Sequence, residues 1–156
     1  MLFGNDEARK FMWPAVEQFG DEGVRRSFGW MLAPSPVLDH DAHLRAFAKR
    51  ATLVRRWQLF VQRFALVLCP VSGEPPFEWG RDVDSEASMA RVVRAQESQF
   101  AVPVLGLPAV SVPTGLAEGL PMGAQLIGPR FREDLMLDAA EVIEARQPPT
   151  TPVDPR

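Results

Sequence analysis

The residues of this chain that could act as a hydrolytic nucleophile are seven serines and a single cysteine. The serines are Ser27, Ser35, Ser72, Ser85, Ser88, Ser98 and Ser111. Serine catalysis needs the hydroxyl on a tight, glycine-rich turn, where backbone amides can approach the developing oxyanion and a base lies within hydrogen-bond reach. No serine lies in a Gly-x-Ser-x-Gly frame, no two glycines are adjacent, and only Ser72 directly neighbours a glycine. The sequence therefore predicts no serine-based catalytic centre.

Cys69 is the only cysteine, which excludes an internal disulfide and a zinc site built from several cysteines. A catalytic thiolate needs a histidine or another cation close by. The two histidines, His40 and His43, both fall in one earlier helical pattern, and nothing in the sequence brings them to Cys69. We interpret Cys69 as a small core residue.

His40 and His43 are three residues apart, with Asp39 and Asp41 beside them. These side chains could bind a metal ion, but no third ligand motif accompanies them. A capped, solvated helix entrance explains the same residues. We therefore predict no metal site and no cofactor.

The N-terminal region is predicted to be helical. Apolar residues recur at spacings of three and four across residues 5–20, where Pro14 is expected to kink the helix. A second helix over residues 21–32 should end before Pro34 and Pro36, because a proline disfavours helical geometry in the residue that precedes it.

The clearest helical pattern follows, with Asp39 or Asp41 as its cap. Its apolar stripe consists of Leu44, Phe47, Ala51, Val54, Trp57, Val61 and Phe64. A basic row lies on the other side, made of Arg45, Lys49, Arg56 and Arg63. In a chain with a net charge of -3 and a pI near 5.4, such a row is typical of a solvated helix face rather than a nucleic-acid site.

Residues 65–69 are short, apolar and bounded by Pro70, which predicts a fully buried strand. The loop over residues 71–83 is rich in proline and glycine. Ligand sites in α/β proteins favour the carboxyl ends of strands, so function is expected in this loop, although a plain surface connection explains it equally well. A further helix, capped by Asp84 or Ser85, is predicted to run to about Gln99.

The C-terminal part of the sequence predicts a β-hairpin followed by a helix. Residues 109–112 form a strand ended by Pro113, residues 114–121 turn the chain, and residues 122–127 return as an antiparallel neighbour. Glu133 and Asp134 suit the first turn of the final helix. Its predicted inward residues are Met136, Ala139, Ala140 and Ile143.

No stretch approaches the roughly 18 apolar residues that a membrane span needs, and the charged first residues do not resemble a signal peptide. The acidic balance gives no attraction for nucleic acid or anionic lipid. We therefore expect a cytoplasmic protein with neither nucleic acid nor membrane as a partner.

Two stretches, residues 105–115 (LGLPAVSVPTG) and residues 119–129 (GLPMGAQLIGP), resemble the C-terminal region of amidase-signature enzymes. The run ending in Cys69-Pro70 is similar to a strand of stand-alone amidases of that family. The resemblance implies an α/β chain, the C-terminal portion of the amidase-signature fold, with a few mixed strands flanked by amphipathic helices. It implies three parts: a mainly helical region at 1–59, the amidase C-terminal segment at 60–146 and a disordered, proline-rich tail at 147–156.

The resemblance also implies hydrolysis of a carboxamide to a carboxylate and ammonia or an amine, by a lysine and two serines of an earlier glycine- and serine-rich segment. This sequence contains no such stretch, so no residue here inherits a catalytic role and the chain alone is expected to be inactive. Four residues are expected to help wall the substrate pocket: Cys69, Val71, Val104 and Leu105. Many relatives have asparagine where this chain has Val104.

The expected partners are a small-molecule amide substrate, in the complete enzyme, and an N-terminal amidase half. Two alternatives stay open. The chain could be a non-catalytic binding fragment that associates with a separate catalytic half, or it could resemble a segment of the A subunit of an amidotransferase.

Overall fold

The computed structural model describes residues 4–147, and the secondary structure of its first part consists of helices. The elements are α1 (Gly4–Glu7), a π-helical segment (Ala8–Met12), α2 (Trp13–Phe19), α3 (Glu22–Leu32) and α4 (His40–Val61). The predicted irregularity at Pro14 appears as the π-helical segment, which ends just before it, and Pro14 occupies the first turn of α2. A proline fits that position because its missing N–H would have no helical partner there.

Side-chain caps fix where the next two helices begin. The Asp21 carboxylate accepts from the Val24 N–H at 2.8 Å, and the Asp39 carboxylate accepts from the Ala42 N–H at 2.7 Å. Asp39, rather than Asp41, is therefore the cap of α4. The apolar stripe of α4 is only partly covered, because Leu44 and Phe47 are exposed whereas Val61 is buried.

The second part combines three strands and four helices within the described residues. They are β1 (Val67–Pro70), α5 (Arg81–Asp84), α6 (Glu86–Ala95), α7 (Glu97–Leu105), β2 (Ala109–Ala117), β3 (Leu120–Ile127) and α8 (Glu133–Glu144). The strands form one sheet in the order β1-β3-β2, and both pairings are antiparallel. The α/β class and the predicted hairpin are thus confirmed.

The helix predicted to end near Gln99 is longer and interrupted. Ser85 caps α6, the backbone leaves helical geometry at Gln96, and α7 then continues to Leu105 with Pro103 in its last turn. The helix stops at Gly106, whose φ of 64° is the left-handed conformation that glycine adopts most easily. The predicted end near Gln99 was therefore wrong, and Val104 and Leu105 belong to α7.

The strand predicted to end at Pro113 instead runs to Ala117. Proline is tolerated there because β2 is an edge strand, and the register shifts between Pro113 and Gly115. The connection to β3 is Glu118-Gly119, with φ values of 54° and 81°. Two residues with positive φ make a tight hairpin turn, so the longer turn predicted over residues 114–121 was wrong.

The core lies between the sheet and α8. Val112, Leu126, Met136 and Ala140 form its buried centre. Ala139 and Ile143 pack against this cluster, so the predicted inner face of the last helix is confirmed. α8 packs mainly against β2 and less against β3.

β1 is not the fully buried strand that its composition predicts. Its burial alternates, with Val67 and Cys69 half-buried and Leu68 and Pro70 exposed. The reason is its position at the edge of the sheet, away from the strand that α8 covers. A strand composition suited to burial on both faces therefore stands here at an open edge.

Candidate functional site

A cavity of about 410 Å³ lies between the loop that follows β1 and the β2–β3 hairpin. Its lining residues are Val71, Ser72, Glu74, Pro75, Pro76, Phe77, Gln96, Ser111, Pro113, Pro121, Met122 and Gly123. Most of these side chains are apolar or proline, with a few polar groups among them. That composition is typical of small-molecule sites.

The loop enters the cavity at Val71, whose backbone is held from two sides. Its N–H donates to the Gly123 carbonyl at 3.3 Å, which extends the pairing of β1 with β3 by one residue. Its carbonyl accepts from Ser98 Oγ at 3.2 Å and from Gln99 Nε2 at 2.9 Å. The start of this wall is therefore fastened to both the sheet and α7.

The same loop is fastened to α6 two residues later. The Gly73 N–H donates to the Ala95 carbonyl at 2.7 Å, and Glu74 forms an ion pair with Arg91 at 2.8 Å. The hydrogen bond from Arg91 lowers the pKa of Glu74, and its positive charge adds to the effect. At neutral pH the Glu74 carboxylate is therefore ionised and engaged by Arg91.

A polar row crosses the sheet next to the cavity. Cys69, Gln125 and Ser111 are directly paired across the three strands. Directly paired residues of antiparallel strands point to the same face, so this row lies on the face opposite the Leu126 core. Gln125 is only 7% exposed, and its Nε2 approaches Cys69 Sγ at 3.8 Å, a weak donor–acceptor contact.

The structure separates the four residues predicted to wall the pocket. Val71 lines the cavity, and Cys69 lies two residues earlier in the polar row. Val104 and Leu105 end α7, where their carbonyls accept from Arg50 Nε and, at 2.7 Å, from Arg130 Nη2. Neither of the last two lines this cavity, and their role as pocket wall stays a prediction.

The serines hold local structure rather than a catalytic arrangement. Ser72 Oγ accepts from the Glu74 N–H at 3.2 Å, and Ser85 Oγ accepts from the Ser88 N–H at 3.2 Å. Ser111 is the serine that lies both in the polar row and in the cavity lining.

The histidines lie apart from this loop in the chain, in the first turn of α4. The His43 ring contacts the Phe47 ring edge-on, with the centroids 4.9 Å apart. Among residues 4–147, no cluster of three or more His, Cys, Asp or Glu side chains is arranged to hold a metal ion. No helix in this range has the length and apolarity needed to cross a membrane.

Phe77 and Met122 are cavity residues that the sequence did not single out. Phe77 lies in the loop over residues 71–83, in which function was expected without that residue being named. Met122 enters the lining because the hairpin brings the start of β3 beside that loop. The sequence feature that indicates this position of Met122 is the predicted pairing of the two strands, which places residues 122 and 113 at the same end of the sheet.

A family model described as "Amidase" matches residues 5–137 of this chain. An indoleacetamide hydrolase of Bradyrhizobium japonicum is 40% identical over 127 residues, covering 80% of this chain and 27% of that protein. The A subunit of the glutamyl-tRNA(Gln) amidotransferase of Lactococcus lactis is 32% identical over 130 residues, covering 83% of this chain and 26% of that protein.

Solved structures agree on the fold. A crystal structure of an amidase matches with a TM-score of 0.65 and 21% identity, over 91% of this chain and 33% of the other. The A subunit of the glutamyl-tRNA(Gln) amidotransferase of Thermotoga maritima matches with a TM-score of 0.55 and 22% identity. That match covers 95% of this chain and 28% of the subunit. This chain spans about a quarter to a third of the length of these relatives, and it belongs to the amidase family.

Proposed function

We propose that this chain forms the C-terminal part of an enzyme that hydrolyses a carboxamide to a carboxylate and ammonia or an amine, and that it is inactive alone. The observation that carries the proposal is the amidase match over residues 5–137 in a chain without the glycine- and serine-rich stretch of the family's catalytic residues. The chain supplies scaffold and pocket wall. The lysine and the two serines come from another part of the fold.

The large solvent-accessible area of this chain supports the proposal that it is only part of a folded unit. The solvent-accessible area is 11197 Å², whereas a compact monomer of this mass exposes about 7,800 Å². The residues outside 4–147 contribute at most about 1,900 Å² even if fully extended. An excess of roughly 1,500 Å² remains, which is more than the roughly 800 Å² that each partner buries in a standard protein interface.

The cavity supports the same proposal. Val71 belongs to its lining, and the hydrogen bonds from Ser98 and Gln99 hold the backbone of that residue in place. We assign this surface, together with Cys69 and the Val104–Leu105 end of α7, to the wall that an amide substrate meets. The substrate is a small molecule, as the name of the indoleacetamide hydrolases indicates for those enzymes.

A segment of the A subunit of a glutamyl-tRNA(Gln) amidotransferase is the second candidate. It is favoured by the matches to several such proteins, at 30–39% identity. The indoleacetamide hydrolases match at 40–41% identity, and we therefore place the stand-alone amidase first.

A chimera tests the proposal. Residues 5–137 of this chain replace the matched stretch of the Bradyrhizobium japonicum indoleacetamide hydrolase, and ammonia release from indole-3-acetamide is measured. We expect the chimera to turn over and this chain alone to release no ammonia. A serine-directed fluorophosphonate should label the chimera only outside residues 5–137. A folded but inactive chimera would contradict the proposed function.

A further inference from the structure

We propose that Arg50 and Arg130 are positioning residues that fix the C-terminal end of α7, and with it the Val104–Leu105 part of the wall that an amide substrate meets. This inference rests on the proposed function and deepens it by naming the side chains that set the geometry of that wall. It follows from the hydrogen bonds at the end of α7, from the packing of that helix and from the origin of the two arginines.

Backbone groups satisfy only half of the carbonyls at the end of α7. The last four carbonyls of any helix have no partner within the helix. The Gly106 N–H donates to the Pro103 carbonyl at 3.1 Å. The Leu107 N–H donates to the Val102 carbonyl, also at 3.1 Å. The two remaining carbonyls therefore depend on side chains.

The two arginines supply the missing donors. Arg50 Nε donates to the Val104 carbonyl. Arg130 Nη2 donates to the Leu105 carbonyl at 2.7 Å, and its Nε donates to the Gly106 carbonyl at 3.0 Å. The planar guanidinium of Arg130 thus bridges two consecutive residues, which the point charge of a lysine does not do as well. Hydrogen bonds from charged donors are the stronger ones, and positive charge suits the negative end of a helix.

Packing holds the end of α7 only weakly. None of the residues of α7, Glu97–Leu105, is buried. Pro103 lies in the last turn and has no N–H to bond to the carbonyl one turn earlier, which weakens this end of the helix further. The position of the helix end therefore depends on the hydrogen bonds from the two arginines.

The two arginines reach α7 from different parts of the chain. Arg50 belongs to α4, and Arg130 follows β3. Both approach Gly106 closely, because a methyl group added there would lie 3.0 Å from Arg130 Nη2 and 3.5 Å from Arg50 Nη2. Within residues 4–147 neither arginine forms an ion pair with a carboxylate. Their charges are used on the carbonyls of α7, where they connect the first part of the chain to the wall.

A displaced wall has a characteristic kinetic effect. The wall contacts the substrate in the ground state and in the transition state alike, so its displacement weakens both complexes equally. Loss of such uniform binding raises KM and leaves kcat unchanged. A variant that merely folds less well would instead contain less active enzyme, which lowers the apparent kcat and leaves KM unchanged. The two effects are therefore separable in one assay.

Steady-state hydrolysis of indole-3-acetamide by the chimera tests the positioning role. Arg50→Gln and Arg130→Gln should each raise KM at least tenfold and change kcat less than threefold. Arg130→Lys should also raise KM, because lysine keeps the charge but loses the planar fork. The matched controls are the exposed Arg56 on α4 and Arg132 beside Arg130, whose glutamine variants should keep KM within twofold. Equal effects on KM in all four glutamine variants would overturn the proposal, as would a fall in kcat at constant KM.

Hydrogen exchange in the isolated chain tests the attachment of α7 without any turnover. Arg130→Gln should speed exchange of the Gly106 and Leu107 amides at least tenfold, because their hydrogen bonds close the end of the helix. Exchange at Leu126, in the buried cluster, should stay within threefold, and Arg132→Gln should change none of these rates. Unchanged exchange at the helix end would overturn the proposal. A chimera without turnover counts against the proposed function, whereas these exchange rates report on the arginines alone, so the two failures are distinguishable.

Discussion

Leu68 and Leu126 lie directly opposite each other in the sheet, yet Leu126 is 3% exposed and Leu68 is 61% exposed. Both side chains point to the face on which α8 packs. α8 sits over β2 and part of β3, so the cover ends between these two residues. One neighbouring pair thus marks the boundary between the part of the core that this chain completes and the part that it leaves open.

The first prediction compares these two leucines in the isolated chain. Leu126→Ala should lower the free energy of unfolding by about 2–5 kcal/mol, because it leaves a cavity in the buried cluster. Leu68→Ala should cost less than about 1 kcal/mol, because its side chain is already largely in water. Urea denaturation followed by circular dichroism measures both. Complete unfolding of the Leu126→Ala variant in the absence of urea would also agree with this difference in burial. Equal losses of unfolding free energy in the two variants would contradict it.

The second prediction concerns the ion pair that anchors the loop after β1. Arg91→Gln should raise the pKa of Glu74, because it removes the hydrogen bond that contributes most to lowering it. Arg94→Gln is the matched control and should raise this pKa less, because Arg94 acts only through its charge. Carboxyl carbon-13 NMR across a pH titration reads the pKa directly. An unchanged pKa in Arg91→Gln would show that the pair does not form.

The same pair gives stability a pH dependence with a definite sign. The pKa of Glu74 is lower in the folded chain than in the unfolded chain, so its contribution is present at neutral pH. It is lost as pH falls below the unfolded value of about 4.3 and through the folded value. Glu74→Gln should therefore lower stability at pH 7 more than at pH 3, in urea denaturation at the two pH values.

The third prediction compares two glycines in the left-handed region. Alanine costs roughly 1–2 kcal/mol in that conformation, so Gly119→Ala, with φ at 81° and open space around it, should lose about that much. Gly106→Ala should lose more, because the new methyl group would lie 3.0 Å from Arg130 Nη2, which bonds the Leu105 carbonyl. Thermal denaturation measures the difference. Equal losses would mean that the guanidinium moves away freely.

The fourth prediction is that Cys69 has no catalytic role. Cys69→Ala in the chimera should keep amide turnover within about threefold, because the hydrogen bond that the thiol accepts from the Gln125 amide is long and weak, at 3.8 Å. Cys69→Trp is the contrasting variant. Its large side chain in the polar row should displace Gln125 and lower amide turnover. A loss of more than a hundredfold in Cys69→Ala would assign chemistry to the thiol.

The sequence predicts those parts of the fold that depend on local chemistry. Asp39 and Ser85 were each one of two candidate caps before an amphipathic run, and each caps the helix that follows. The inward residues of α8 follow from their spacing alone. The family could be predicted because residues 105–129 carry prolines and glycines in the order and spacing that resemble the C-terminal region of its members.

The remaining features depend on contacts between distant segments. Pro113 ends a strand only where its missing N–H is needed, and the sequence does not reveal that β2 lies at an edge. The apolar run of β1 predicts burial, but burial needs a neighbour and a cover that the described residues do not supply. The cavity at Phe77 and Met122 likewise arises only when the hairpin returns beside the loop after β1.

Whether this chain is inactive alone is decided by intact-mass analysis of the purified chain after exposure to a serine-directed fluorophosphonate, together with an ammonia-release assay on aliphatic and aryl amides. We expect no covalent adduct and no ammonia, while the intact hydrolase relative shows both under the same conditions. A single adduct on one of the seven serines, accompanied by turnover, would contradict the proposed function, because a serine of this chain would then be activated without the family's lysine and serine pair.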